Sequence, residues 1–99
     1  MTISPIRAVA MVWYRAEDYS AVLRVMSDSD KLPATFEKWL FKAQKNEKEM
    51  RRKGYTVIRI CIDPETFPDW CRARGLDVNA NARNLFAAES AKEQYGATH

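Results

Sequence analysis

Few side chains in this 99-residue chain are able to act on a substrate, and their spacing narrows the choice further. The only histidine is the last residue, His99, so no triad that moves a proton through imidazole can be assembled within the chain. Cys61 and Cys71 stand ten residues apart, form no CxxC and have no histidine near them, which leaves zinc without a ligand set. Cys71 follows Trp70 at a helix start, where the dipole would activate a thiol; two buried, reduced and inert thiols are the plainer expectation. Asp28 and Asp30 in SDSD open like a calcium loop, but the required glycine and the closing glutamate are missing. The three glycines, Gly54, Gly75 and Gly96, each stand where a helix would stop, and none belongs to a phosphate-cradling loop. No cofactor and no metal is implied.

Charge offers more. Residues 35–53 hold seven basic and three acidic groups, a net +4, whereas residues 1–34 sum to zero and residues 54–99 to −1. The whole basic excess of the chain therefore sits in one segment. On a helical wheel Lys38, Lys45, Lys48 and Arg52 fall opposite the apolar stripe, with Phe41 among them, the layout of a surface that follows phosphates and stacks a base. Glu47 and Glu49 dilute that field, and the competing expectation is a solvated face laced by Lys45–Glu49, Glu47–Arg51 and Glu49–Lys53, with Phe41 packed on a neighbouring helix or subunit. Glu47 itself falls inside the apolar stripe, between Ala43 and Met50. It is either a buried acid of raised pKa, fit for general-base work, or a sign that the helix runs past the core into water. Arg59 and Arg83, with Tyr14, Arg15 and Asp63, would form a small-anion or catalytic pocket if the fold brought them together; separate salt bridges are the simpler expectation.

The elements that position these groups are legible from periodicity. Thr35 to Lys53 reads as one long helix, with Phe36, Trp39, Leu40, Ala43 and Met50 on one stripe, Thr35 as N-cap and Gly54 as stop. Nineteen residues at about 1.5 Å each give roughly 28 Å. Ile6 to Tyr14 is rich in β-branched and aromatic residues and predicts a strand, apolar on both faces and hence covered on both sides or lying at an interface. Ala16 to about Asp28 predicts a helix with Glu17 and Asp18 in its first turn, and Ser27 to Pro33 a polar connection. Tyr55 to Ile62 alternates as a second strand, Ile58, Ile60 and Ile62 on one face and Val57, Arg59 and Cys61 on the other. Thr66 and Asp69 predict a capping box opening a short helix to Arg74, and Asn79 caps a last helix from about Ala80 to Tyr95.

The order β-α-α-β-α-α defines an α+β fold in a single domain, 1–99, and nothing in it reads as a linker. Two helices between the strands would bring the chain back reversed, so an antiparallel pair is predicted. Such a pair is marginal alone in water, and its simplest completion is a second copy, giving a four-stranded sheet across a homodimer. The longest apolar run, Ala8 to Tyr14, is far short of the ~20 residues a spanning helix needs, and MTISPIR has no secretory pattern.

Three groups of residues carry a resemblance: Trp13 to Tyr19 (WYRAEDY), Leu32 to Trp39 (LPATFEKW), and the series Asp63 to Phe67, Trp70-Cys71, Gly75, Asn79, Ala82-Arg83 and Phe86-Ala87. In these the chain resembles a group of short bacterial proteins with no described activity. The shared motifs are caps, stops and aromatic anchors. The resemblance implies a bacterial, cytoplasmic setting and no particular chemistry. The function expected from the sequence is a small homodimeric scaffold, adaptor or regulatory subunit without catalysis, whose protein partner is not named by any motif. Nucleic-acid binding through Lys38, Phe41, Lys45, Lys48 and Arg52 and anion binding at Arg59 and Arg83 are the alternatives.

Overall fold

A computed structural model of the chain describes residues 7–96. Ile6, the expected start of the first strand, and His99 lie outside the described residues. The elements are β1 (Ala8–Trp13), α1 (Tyr19–Val25), α2 (Phe36–Arg52), β2 (Thr56–Cys61), α3 (Phe67–Ala73) and α4 (Ala80–Ala91), with 3-10 turns at Ala16–Asp18 and Ser29–Lys31 and a π-helical turn at Lys92–Gly96. Mixed helix and strand is as the sequence requires.

The strands, however, pair in parallel, from Ala8 opposite Thr56 to Trp13 opposite Cys61, and not antiparallel as the element order suggested. The reason lies in the length of α1. Glu17 and Asp18 fall in a 3-10 turn, and Met26 already has extended backbone (φ −80°, ψ 130°), so only seven residues are α-helical. Seven residues rise about 10 Å, half the length of a six-residue strand, so α1 cannot carry the chain back along the sheet. It stays at the C-terminal end of β1, where Tyr19 meets the rings of Tyr14 (5.9 Å) and Phe36 (5.9 Å) and its hydroxyl donates to the Pro33 carbonyl (2.6 Å). The return is made by α2 alone. Trp39, near its start, packs edge-on against Trp13 (5.1 Å) and against Tyr14 (4.9 Å), while Met50, near its end, borders Val9 to Met11. One crossover helix between two strands makes them parallel.

The ends of α2 follow from its sequence. Thr35 Oγ1 accepts from the Lys38 N–H (3.2 Å), Glu37 lies at the positive end of the dipole and Arg51 and Arg52 at the negative end. Gly54, at φ 95°, makes the left-handed turn that leads into β2, a conformation other residues adopt only with strain. Asn79 Oδ1 caps α4 by accepting from the Ala82 N–H (3.2 Å). The capping box expected at Thr66 and Asp69 does not form. Thr66 is already helical and makes no side-chain cap; Asp63 Oδ1 instead accepts from the Glu65 N–H (2.9 Å), and Asp69 pairs with Arg72 (2.6 Å).

The pleat divides the sheet between two helices. Ala10, Val12, Ile58 and Ile60 pack with Ala87, Phe86 and Ala91 of α4. On the other face Trp13 and Arg59 meet Trp39 and Glu47 of α2. Trp39 contacts four aromatic rings, those of Trp13, Tyr14, Tyr19 and Phe36, and is the centre of the larger core. A second aromatic group, Phe67, Trp70 and Phe86, joins α3 to α4. A parallel pair needs cover on both faces, and these helices supply it.

Candidate functional site

Four places on the molecule gather side chains that carry charge or exposed apolar surface. The first is Glu47. It is buried, at 5% exposure, because α2 crosses the sheet at this turn and does not run past it. Its carboxylate accepts two short hydrogen bonds from Arg59, Nε to Oε2 at 2.6 Å and Nη2 to Oε1 at 2.7 Å, and a longer one from Arg51 at 3.4 Å. Arg59 in turn lies flat over the Trp13 ring, 3.9 Å from its centroid. The Arg59 hydrogen bonds hold the Glu47 carboxyl below the usual range, outweighing the opposing effect of burial. Neither expectation for Glu47 stands: it is buried, yet its pKa is lowered and both its oxygens accept from Arg59, which makes it a weaker base than a free carboxylate.

The second place joins the segment after α1 to α4. Arg83 is buried, at 6% exposure, and grips Asp28 with both nitrogens (2.8 and 3.0 Å) while its Nη1 touches the Met26 sulfur (3.3 Å). These hydrogen bonds lower the Asp28 pKa. Tyr14 is buried beside this pair, and loss of water pushes its hydroxyl up to about 12. Ser27 completes the junction, its N–H donating to the Val78 carbonyl at 2.8 Å.

These two clusters settle the geometry of the pocket considered for Arg59, Arg83 and Asp63. Arg59 is committed to Glu47 under α2, Arg83 to Asp28 at α4, and Asp63 to a backbone turn. The fold does not bring them together, because each guanidinium finds a carboxylate on the helix or turn packed nearest to it. Arg15 pairs with Asp18 (2.8 Å) at the surface. Every fully buried side-chain nitrogen or oxygen among the described residues has a hydrogen-bond partner, so none is aimed unpaired into a cavity. Cys61 is exposed and Cys71 fully buried, the latter with its thiol pKa raised by burial; the expectation of two buried thiols holds for Cys71 alone. Among the described residues no three His, Cys, Asp or Glu side chains are grouped to hold a metal ion.

The third place is the outer face of α2. Lys38, Phe41, Lys45, Lys48 and Arg52 are all exposed, Phe41 at 71%. Phe41 and Lys38 border an open depression of about 560 Å³ together with Pro33, Glu37 and Lys42. Of the ion pairs expected along this helix only Glu47–Arg51 forms; among the described residues every ion pair uses arginine and none a lysine.

The fourth place is the one that residue-type reasoning missed. Beside the edge of β1 that pairs with no other described strand, an open groove of about 470 Å³ runs between Val9 and Met11 on the strand and Asn46, Glu49, Met50 and Lys53 on α2. Its signal in the sequence is the uncharged run from Ala8 to Tyr14, which is half-exposed from Val9 to Val12.

Compared with known proteins, the chain matches no family model, no curated protein and no solved structure. Among the described residues no helix is long and apolar enough to cross a membrane.

Proposed function

We propose that this chain is a self-association module, a small homodimeric scaffold or regulatory protein of the bacterial cytoplasm that carries out no reaction of its own, and that a second copy completes its sheet. The observation that carries this reading is the sheet itself. Among the described residues it has two strands, in the parallel pairing that is the weaker per residue, and they leave β1 uncharged and half-exposed along an open edge. An apolar strand edge left in water is a liability that chains remove by covering it. The paired arginines and satisfied buried polar atoms support the same reading, since each charged cluster has a structural partner. Co-expression of tagged and untagged chains tests it: the untagged copy should be retained with the tagged one after high-salt washing. An untagged copy that washes through quantitatively contradicts it.

A second reading is favoured by one feature, the exposed Phe41 among lysines that pair with no carboxylate among the described residues. We propose nucleic-acid binding through Lys38, Phe41, Lys45, Lys48 and Arg52 as that alternative. Retention on single-stranded or duplex nucleic acid should then fall with salt, by a log–log slope of about −0.9 for each phosphate neutralised on duplex DNA. Salt-independent passage over both removes it.

A further inference from the structure

Which edge a second copy uses, and in what register, follows from the direction of the backbone groups; this inference rests on the self-association reading. The Thr56 N–H donates to the Arg7 carbonyl (2.7 Å) and the Ile62 N–H to the Trp13 carbonyl (3.0 Å). Since the N–H and C=O of one strand residue leave on the same side and successive residues alternate, Arg7, Val9, Met11 and Trp13 turn their backbone toward β2. Ala8, Ala10 and Val12 turn theirs outward. By the same rule Val57, Arg59 and Cys61 face outward on β2, so that edge is bordered by a charged side chain, one of the devices that keep strands from adding. Along β1 no charged residue, proline or bulge intervenes between Ala8 and Tyr14.

We propose that two copies join through β1, antiparallel about a two-fold axis that passes Ala10. Outward residues must oppose outward residues, so Ala10 faces Ala10 and Ala8 faces Val12 of the second copy, with about six new backbone hydrogen bonds in an antiparallel ladder. Between them, on the α2 face, Val9 meets the second copy's Met11 in the close, non-hydrogen-bonded position. That contact fills the groove beside β1, whose far wall holds Met50. The two α2 helices flank the seam antiparallel to each other, which brings Glu49 of each within reach of Lys53 of the other. On the α4 face the ladder is lined by Ala8, Ala10 and Val12, short side chains that leave room for two helices.

The dimensions suit such a contact. A six-residue strand is about 20 Å long and a helix-sheet-helix stack about 30 Å deep, so the end face is roughly 600 Å² per copy before side-chain relief is added, near the ~800 Å² of a stable dimer. A peptide strand alone would satisfy the ladder and leave Glu49 and Lys53 unmatched; a second copy matches both.

Site-specific cysteines test the register in a Cys61→Ser background. Mild oxidation should link Ala10→Cys into a disulfide dimer, because opposed residues in this ladder have Cα atoms about 5.5 Å apart, within disulfide range, and should leave Met11→Cys unlinked. Ala10→Pro removes only an outward N–H, which an edge strand tolerates, and should raise the dimer dissociation constant roughly 100-fold while the far-ultraviolet circular dichroism is unchanged. A native chain that is dimeric by sedimentation yet gives no Ala10→Cys link overturns the β1 interface and leaves self-association standing. Linking through Met11→Cys instead overturns the register. A native chain that is monomeric overturns both readings. If Ala10→Pro does not fold, the two cysteine variants decide alone.

Discussion

Replacing Glu47 with glutamine removes one charge and almost no volume, and it isolates the contact that fixes α2 to β2. Two charge-assisted hydrogen bonds of 2.6 and 2.7 Å are affected, each worth about 1.5–3 kcal/mol when made to a charged partner. The full sum is not expected. The Arg59 side chain is 46% exposed, so its guanidinium returns to water, and the glutamine oxygen can still accept one bond. A loss of about 2–3 kcal/mol is the reasoned outcome, below the 3–5 kcal/mol seen when a wholly buried pair is broken. For a chain of this size that lowers Tm by roughly 10–20 °C. Urea denaturation followed by tryptophan fluorescence is the natural assay, since Trp13 lies under Arg59. The Arg51→Ala variant is the control: its 3.4 Å contact at an exposed side chain should contribute under about 0.5 kcal/mol. Pairing Glu47→Gln with Arg59→Met in a double-mutant cycle should give a coupling of about 1–2 kcal/mol. A Glu47→Gln variant within about 0.5 kcal/mol of the native chain, or a coupling near zero, would refute the assignment.

Other consequences follow from the same contacts. Glu47 and Asp28 both have folded pKa values below their unfolded ones, so the stability they contribute is present above about pH 4 and is lost as pH falls through the folded values; the pH-dependent loss below pH 4 should shrink in Glu47→Gln. Tyr14 acts at the other end: its folded pKa of about 12 exceeds an unfolded value near 10, so its contribution is lost between these pH values, and Tyr14→Phe should flatten the alkaline limb of a stability curve. Trp39→Ala empties the centre of four ring contacts and should cost about 3–5 kcal/mol by chemical denaturation, close to the whole stability of a small domain. In thiol titration Cys61 should react in the native state and Cys71 only on unfolding; equal rates would contradict the burial of Cys71.

Much of this was legible in the residues. The long helix starts at its predicted cap Thr35 and turns out through Gly54, because both signals are local and Trp39, Ala43 and Glu47 recur on one stripe. The strands were likewise written in alternation and β-branching. The direction of β2 was not legible. Its sign depends on whether α1 traverses the sheet, and that depends on Glu17 and Asp18 entering a 3-10 turn and Met26 leaving the helix, a shortening at both ends that periodicity does not resolve. Glu47 was misread for a related reason: the stripe showed it faced inward, but its partner Arg59 is twelve residues away on an element whose placement was unknown. Arg83 likewise found Asp28, fifty-five residues earlier, through the packing of the segment that follows α1 against α4. The groove beside β1 escaped because it is defined by what does not cover a strand, and no residue type marks that.

Sedimentation equilibrium of the untagged chain across about 1–100 µM decides whether two copies associate. A chain that pairs through β1 gives a species of twice 11.4 kDa that dissociates on dilution, with Ala8, Ala10 and Val12 amides protected from exchange in the dimer. A species of 11.4 kDa at every concentration, with those three amides exchanging freely, would contradict it.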